Sequence, residues 1–458
     1  APEYTLAPSF LNALATNGIQ LAHTNNEQLG QVSKNNFAPR IGLAYKVTNK
    51  FVVRAGFGLF FNGIFNVGDG ANVGNNYLFA FGLNYVPTNG NFPLTSDNSI
   101  GAIGNGLLHV PLSPALVSAS GLKLNAVQYN FQTPYIEGTN FTTQYQISAN
   151  QSFSLGYVGS LGRHLMTLPN INRVSEILPT SVTATPYLPF PGFAQNMSYT
   201  TTDGNSFYYS IQAKYEHRFS GGFNLLAAYT WSQVRNDVSD VLFSTLSYRA
   251  PYLPGFGIQG DYGLANFNVH NATHISGGYE LPFGKGKRFF NGGGLRNVFI
   301  GGWRIDGLMT LQSGTPLTIP CTISTTNGMG CDALMVTGQG LYTGAHTVAH
   351  WINAAAFANP PAATAIGQTD FGPLGGAPTQ VIGPRFHRAD VTLAKSWRTT
   401  EKTRVEFRAD VFNVTNTPNV AQPGTLNFGS TKTFASITST RDNPDDPREL
   451  QLSLKFYF

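Results

Sequence analysis

Charged residues of opposite sign, two positions apart, are the groups in this 458-residue sequence that are best arranged for chemistry. In a β-strand, residues two apart lie on the same face, so each pair would share a polar face while the apolar residues between them occupy the other. We expect mixed-sign charges on such a face to pair across neighbouring strands and to contribute about 0.2–1 kcal/mol per pair. A second interpretation is a docking surface for a plug domain or a polar solute. The residues concerned are Arg304, Asp306, Arg388, Asp390, Arg404, Glu406, Arg408 and Asp410.

Motifs for catalysis are missing from the sequence. It has no H-E-x-x-H, no G-x-S-x-G and no Walker-type G-x-x-x-x-G-K-[ST] motif, so hydrolase and nucleotide-binding functions lack their basic geometry. Cys321 and Cys331 lie ten positions apart in a Gly/Thr/Asn-rich segment. We predict a local disulfide in an oxidising compartment, with two free thiols or half a metal site as alternatives. No His or Cys pair completes a zinc set, and we predict no enzyme activity, no metal and no cofactor.

The composition favours a membrane protein built from strands. Charged residues make up only 11% of the chain and aromatic residues 13%, whereas ordinary soluble domains contain roughly 25% charged residues. No run of about 18 apolar residues occurs, which excludes a spanning helix. A mean hydropathy of −0.09 fits a wall in which only every second residue meets lipid. The net charge of +5 is scattered without a basic patch, which argues against nucleic acid as a partner.

Five pairs of alternating apolar and polar segments, and one terminal segment, indicate strands. A short polar or Gly-containing link joins the two members of most pairs, and much longer segments separate the pairs. This alternation of short turns and long outer loops is typical of transmembrane barrels. The predicted strands are 41–47 with 51–61, 140–149 with 153–159, 206–219 with 223–233, 270–281 with 298–313, 388–397 with 403–414, and the terminal 449–458.

The segments outside these strands complete the predicted organisation. Residues 1–36 have no firm period and are assigned to a loop or entry segment, and residues 37–458 to the barrel portion. Because loops on a rigid scaffold usually carry recognition, we expect ligand contacts from aromatic loop segments such as 75–90 and 187–199. The predicted outer loops are 63–139, 161–205, 234–269, 314–387 and 415–448.

Aromatic residues on the apolar face predict girdles at two membrane interfaces. Phe223 and Trp231 lie eight positions apart on one predicted strand, roughly 20 Å along the membrane normal, which would put one near each interface. Trp397 and Phe456 are assigned to the same girdles. The alternative is that these residues are core aromatics of a soluble β-sandwich.

The last ten residues alternate apolar and polar side chains, end on Phe458, and resemble the final strand of bacterial outer-membrane barrels. That resemblance implies that Phe458 is part of the signal read by the barrel-assembly machinery. Five further segments resemble the barrel of TonB-dependent receptors, particularly the Oar-like type. In that family the barrel has about 22 strands around an amino-terminal plug, and an inner-membrane energy-coupling complex drives uptake. The resembling segments are 36–45, 260–264, 279–289, 302–316 and 407–416.

The resulting expectation is an all-β, antiparallel transmembrane β-barrel in the bacterial outer membrane, with the eight charged residues named above facing its lumen. About eleven or twelve strands are recognised, and an odd number cannot close an antiparallel barrel. Either a further strand lies in 1–36 or in a loop, or the chain is the carboxy-terminal half of a barrel of about 22 strands. We favour the second interpretation. No plug or coupling segment is recognised, so the energy-coupling complex would act through a part of the receptor outside this sequence.

The predicted function is receptor-mediated uptake of a bulky or scarce nutrient. The lipid bilayer, the assembly machinery and an unidentified ligand are the expected partners. A surface adhesion or structural β-protein is one alternative, and a passive pore of about twelve strands is another.

Overall fold

The computed structural model describes residues 6–20, 33–62, 76–77, 119, 122, 124–195, 197–237, 239, 262–322, 333–342, 347–368, 381–398, 403–430, 432–441 and 447–458. Within these residues the chain forms one large sheet, a small second sheet and a few short helices. The α-helices are α1, Pro8–Thr16, and α2, Leu295–Ile300, and 3-10 helices span Thr185–Tyr187 and Ala354–Ala356. The strands are β1 Arg40–Lys46, β2 Phe51–Phe61, β3 Ala126–Val127, β4 Tyr135–Ser148, β5 Gln151–Thr167, β6 Tyr199–Ser220, β7 Phe223–Asn236, β8 Gly263–Leu264, β9 Asn271–Glu280, β10 Trp303–Gln312, β11 Leu334–Met335, β12 Phe357–Ala358, β13 Phe386–Arg398, β14 Arg404–Phe412 and β15 Glu449–Tyr457.

The large sheet is an antiparallel meander in chain order, β1-β2-β4-β5-β6-β7-β9-β10-β13-β14-β15. Two short strands join it at the side, since β3 pairs in parallel with β6 and β8 pairs with β7, while β11 and β12 form a separate pair. An antiparallel meander puts its connections alternately at two edges. The short links lie at one end of the strands, which we call the turn edge, and the long links lie at the other end, which we call the loop edge. In the described residues β1 and β15 end the sheet, each with one strand partner.

All five predicted strand pairs occur as antiparallel neighbours, and the predicted terminal strand pairs with β14. The main difference from the prediction is that β4, β5 and β6 are longer than expected. β5 continues to Thr167 and β6 begins at Tyr199, so the connection between them is 168–198, shorter than the predicted 161–205. β4 likewise begins at Tyr135, inside the predicted loop 63–139. The start of β6, from Tyr199 to Asn205, is polar on both faces, so no alternation of hydrophobic residues marks it.

Two α-helices lie where the sequence predicted other structure. α1 falls within the predicted loop 1–36; it begins at Pro8, and its buried residues Phe10, Ala13 and Leu14 are spaced by three and one, as on one helical face. α2 replaces the first residues of the predicted strand 298–313, so that β10 begins at Trp303. Among the described residues, no helix has the length and apolar character needed to span a bilayer.

Hydrophobic burial is concentrated in the loops. None of the buried hydrophobic residues that the structure describes lies on the eleven strands of the meander. One core joins α1 to the β5–β6 loop through Phe10 and Phe193, whose ring centroids are 5.9 Å apart. A second joins the β5–β6 loop to Ala363, and a third joins the β10–β13 loop to Phe434 of the β14–β15 loop. The loops at the loop edge therefore pack into a layer with hydrophobic cores of its own. The described strands of the meander have no hydrophobic core.

Candidate functional site

One face of the sheet, the apolar face, exposes large hydrophobic side chains across its width. A single row in register crosses six strands, from Leu43 on β1 through Phe141 on β4 to Trp231 on β7. Leu43 is 60% exposed and Phe141 48%. At the other end of the sheet, β15 exposes four residues of the same face to between 54% and 65%: Leu450, Leu452, Leu454 and Phe456. A continuous apolar surface of this kind marks an interaction face, because water-facing surfaces rarely expose such patches.

The four predicted girdle residues all lie on the apolar face. Phe223 begins β7 at the turn edge, and Trp231 lies eight residues further along the same strand, five residues before its end. Trp231 stacks on His270 with ring centroids 6.4 Å apart. Trp397 and Phe456 are both in register with Val405, close to the turn edge. The structure thus brings Trp397 and Phe456 together at one edge and separates Trp231 from them. Their membrane role remains a prediction.

The opposite face, the polar face, carries all eight predicted charged residues as four ion pairs. Arg304 and Asp306 are 2.7 Å apart, Arg388 and Asp390 3.1 Å apart, and Arg408 and Asp410 2.9 Å apart, while the fourth pair, of Arg404 and Glu406, is wider at 3.7 Å. The predicted pairing across strands is wrong, because each of these pairs joins residues two apart on one strand.

The strand register explains why the charges pair along each strand. Asp306 on β10 and Asp410 on β14 both lie opposite Thr392 of the strand between them. Arg304 and Arg408 in the same way both lie opposite Ala394. The rows through Thr392 and Ala394 therefore place like charges of β10 and β14 on either side of a neutral residue of β13, and each of these charges pairs with the opposite charge two positions along its own strand.

Neutral groups connect the charged pairs across strands. The hydroxyl of Thr392 donates to Asp410, and the guanidinium of Arg408 donates to the same carboxylate at 2.9 Å. The backbone N–H of Asn413, just after β14, donates to Asp390 on β13 at 2.8 Å. The eight charged residues thus form four neutral pairs held in a hydrogen-bonded network rather than a cluster of free cations.

A glycine makes room for one of these pairs. Gly278 on β9 is in register with Asp306 on β10 and with Asn224 on β7. A Cβ atom at position 278 would overlap the Asp306 carboxylate and would lie 3.0 Å from both Arg304 Nη2 and Asn224 Oδ1. The Arg304–Asp306 pair therefore lies flat over the backbone of β9. Gly278 could not be recognised from the sequence, because a glycine within a strand carries no sign of the side chains that cross it.

The loop edge contains a cavity of about 510 Å³ that the sequence analysis also missed. It opens where β9, β10 and β13 end, and its aromatic walls are Trp351 and Tyr342 of the β10–β13 loop. The Tyr342 hydroxyl accepts from the backbone N–H of Ile382 at 2.9 Å and donates to its carbonyl at 3.0 Å, which fixes the ring. Arg385 and His387 add two basic side chains to the lining. The nearest sequence signal was the presence of aromatics in the long predicted loop 314–387.

The two loop segments predicted to contact ligand have a different arrangement. In the segment 187–199, Phe193 and Met197 are buried against α1. Most of the segment 75–90 lies outside the described residues, and its Tyr77 is buried in the same core, with its ring centroid 5.0 Å from that of Phe10. The described aromatic residues of both segments thus pack within the hydrophobic cores of the loop layer.

Cys321 is disulfide-bonded and packs against the core of the β5–β6 loop. Its predicted partner, Cys331, lies outside the described residues. Within the residues that the structure describes, no group of three or more His, Cys, Asp or Glu side chains is arranged to hold a metal ion.

A family model described as an outer membrane beta barrel domain matches residues 3–451. Among solved structures, the chain is similar to the outer membrane transporter YddB from Escherichia coli, at 10% identity and a TM-score of 0.42, with 92% of this chain and 40% of that chain covered. It is also similar to BauA, the ferric preacinetobactin receptor from Acinetobacter baumannii, at 11% identity and a TM-score of 0.41, with 92% and 36% covered. The FrpB iron transporter from Neisseria meningitidis is similar at 10% identity and a TM-score of 0.39, with 92% and 39% covered.

This chain therefore spans two fifths or less of the length of these three structures. No curated protein matches it.

Proposed function

The chain belongs to the outer membrane beta barrel domain family, and on that premise we propose that it forms part of the barrel of a TonB-dependent receptor that imports a bulky or scarce nutrient. A member of this family is located in the bacterial outer membrane, where the apolar face of the sheet meets lipid. We assign the chain to the Oar-like type on the five sequence segments that resemble it.

The observation that carries the proposal is the different character of the two faces of the meander. The apolar face exposes residues such as Leu43 and Leu452, at 60% and 61%, while the polar face holds Arg–acid pairs 2.7–3.7 Å apart. Such a sheet suits a barrel wall with lipid outside and a polar lumen inside. The four neutral pairs suit docking of a plug domain, because paired charges lose less hydration free energy than free charges when another surface covers them.

The free edges of β1 and β15 support a barrel larger than the sheet described. Each of these strands has one partner in the described residues, and an open strand edge in lipid leaves backbone groups unpaired at a cost of several kcal/mol each. Further strands pairing with both edges would remove that cost. We therefore propose that these strands are the carboxy-terminal half of a closed barrel of about 22 strands.

The loop layer is the proposed ligand-binding side. Its cavity of about 510 Å³ opens at the loop end of the apolar face, beside Thr273, Leu311 and His387. It joins two aromatic rings to Arg385, a combination that suits first contact, outside the barrel, with a ligand that has flat or apolar parts and a negative charge. The turn edge, where Phe458 is fully exposed, is the proposed contact for the barrel-assembly machinery. The energy-coupling complex is proposed to act through a plug-bearing part of the receptor outside this sequence.

Deletion of the gene in the source bacterium tests the proposal. The measurement is the accumulation of radiolabelled ferric chelates and of labelled oligosaccharides by wild-type and deletion strains, with and without a proton uncoupler. A receptor of the proposed kind predicts that accumulation of one of these compounds falls at least about tenfold on deletion and equally on uncoupling. Re-expression of the complete gene should restore it.

Two outcomes of the same measurement would contradict the proposal. Accumulation that is lost on deletion but is insensitive to the uncoupler would indicate a passive pore. Accumulation of every compound unchanged by deletion, together with lost attachment of cells to a surface or to one another, would indicate an adhesion protein.

A further inference from the structure

The connection between β9 and β10, residues 281–302, is the longest segment described at the turn edge, and it folds into a structure of its own. It contains α2, and its aromatic residues Phe283 and Phe289 pack with ring centroids 6.0 Å apart. Side-chain amides hold its backbone: Asn297 accepts from the N–H of Lys285 at 2.7 Å, and Asn291 accepts from the N–H of Gly286 at 2.5 Å. This segment, residues 281–302, is therefore an ordered element, and we term it the turn-edge flap.

Three side chains of the apolar face fasten the flap to that face. Lys395 of β13 lies in register with Trp303 of β10, and its ammonium donates to the carbonyls of Phe299 and Gly301 at 3.0 and 2.5 Å. The indole N–H of Trp303 donates to the carbonyl of Phe299, and the indole N–H of Trp397 donates to the carbonyl of Val298, each at 2.8 Å. All three donors bind carbonyls at the end of α2. The flap consequently lies against the outer, apolar side of the sheet.

The flap leaves its own apolar side chains uncovered. Leu295 is 80% exposed, Phe299 73% and Phe290 70%, although Phe299 sits directly beside the buried Lys395. These residues continue the exposed apolar face of the sheet beyond the ends of β10 and β13. A surface continuous with a lipid-facing wall meets the same surroundings as that wall, down to the headgroup layer.

The charge of the flap is of one sign. Residues 281–302 contain four basic residues and no acidic residue. Lys287 is neutralised by Glu280 at 2.7 Å, whereas Lys285, Arg288 and Arg296 are exposed. Basic side chains beside exposed Phe and Leu are the combination with which interfacial segments bind anionic lipid headgroups.

We propose that the turn-edge flap is a binding site for anionic phospholipid, with Lys285, Arg288 and Arg296 contacting the phosphate groups and Leu295 and Phe299 entering the acyl layer. The partner is the leaflet that faces the periplasm, because short turns of outer-membrane barrels lie on that side. The proposal depends on the outer-membrane location and not on the receptor function. A failed uptake experiment would leave it intact.

The test uses the product of the complete gene, purified in detergent and titrated with dioleoyl phosphatidylglycerol or dioleoyl phosphatidylcholine, with bound lipids counted by native mass spectrometry. The wild type should bind phosphatidylglycerol about tenfold or more tightly than phosphatidylcholine, since each basic residue at an anionic surface strengthens binding by about fivefold. The K285Q/R288Q/R296Q variant should lose that preference. These three side chains are exposed, so the variant should retain heat-modifiable migration on gels.

A charge-matched control separates the flap from overall charge. The K34Q/K432Q/R448Q variant removes three exposed basic residues at the loop edge and should keep the full preference for phosphatidylglycerol. Equal binding of the two lipids by the wild type would overturn the proposal, as would equal loss of preference in both triple variants. Self-association of the chain that the flap variant abolishes, without any lipid preference, would assign the flap to a second copy and would also overturn it.

Discussion

Single residues decide how the polar face is built. Period-two alternation correctly assigned Arg304, Asp306, Arg408 and Asp410 to one face. It could not predict their partners, because pairing depends on the register between strands, and register is set by connections whose length and shape the sequence does not reveal. The same limit hid Gly278, whose role exists only because Asp306 lies opposite to it.

Replacing Gly278 with alanine should destabilise the sheet. The added methyl group would overlap the Asp306 carboxylate and crowd Arg304, and we expect a loss of about 1–3 kcal/mol in the free energy of unfolding. Urea unfolding followed by tryptophan fluorescence measures it. Gly307→Ala on the next strand is the control, because its nearest contact would be at 3.9 Å. Equal destabilisation by the two substitutions would show that the Arg304–Asp306 pair does not need the space.

Lys395 interrupts the alternation of apolar and polar residues along β13. It lies on the apolar face yet is a lysine, only 3% exposed, and its ammonium lies 4.8 Å from the Trp303 ring centroid and 5.2 Å from that of Trp397. Two aromatic faces and two carbonyls replace the water it has lost. Nothing in the sequence around Lys395 indicated these partners, because the carbonyls belong to residues almost a hundred positions away.

Lys395→Met should release the flap from the sheet. The substitution removes charge-assisted hydrogen bonds worth about 1.5–3 kcal/mol and leaves the carbonyls of Phe299 and Gly301 without that donor. We expect trypsin to cleave after Arg296 about tenfold faster, with the site identified by mass spectrometry. Lys455→Met, which removes an exposed lysine of β15, should leave the rate unchanged. An unchanged rate in the Lys395 variant would mean that the tryptophans hold the flap alone.

At the scale of elements, the strands were predictable and the packed loops were not. Strand pairs such as β1–β2 follow from a local, repeating pattern joined by a short link. The loop cores join residues far apart in sequence, as when Phe10 meets Tyr77 and Phe193, and such contacts leave no periodic signal. α2 was misread as strand because Val298, Phe299 and Ile300 are β-branched or aromatic residues that also favour strands.

We propose that the disulfide of Cys321 is closed by Cys331, the other cysteine of the chain. A disulfide that closes a loop of this length stabilises the folded state by up to about 3 kcal/mol, because it restricts the unfolded chain. The purified, unreduced chain should therefore resist alkylation at both positions even after unfolding in urea, and should add two labels after reduction. Labelling of either cysteine without reductant, or a disulfide-linked dimer on a non-reducing gel, would contradict an internal bridge.

At the scale of the whole molecule, the low charge content of the chain follows from a meander with one apolar and one polar face. Such a sheet is also what an outer-membrane barrel requires. Apolar side chains occupy one face from β1 to β15, and the buried hydrophobic residues that the structure describes lie off the meander. A soluble sandwich would instead bury one face of the sheet in a dry core. The antiparallel pairing of successive strands was predictable from the pattern, whereas closure of the barrel depends on what pairs with the edges of β1 and β15.

The central claim is that alternate residues of the strands meet lipid and water. Single nitroxide spin labels at Val405, Glu406, Phe407, Arg408, Ala409 and Asp410 of β14, in protein within isolated outer membranes, test it directly. Collisions with dissolved oxygen should be frequent at 405, 407 and 409, and collisions with a water-soluble nickel complex at 406, 408 and 410, because neighbouring positions in a strand face opposite sides. The same accessibility at all six positions, or high oxygen accessibility at the charged ones, would contradict the account.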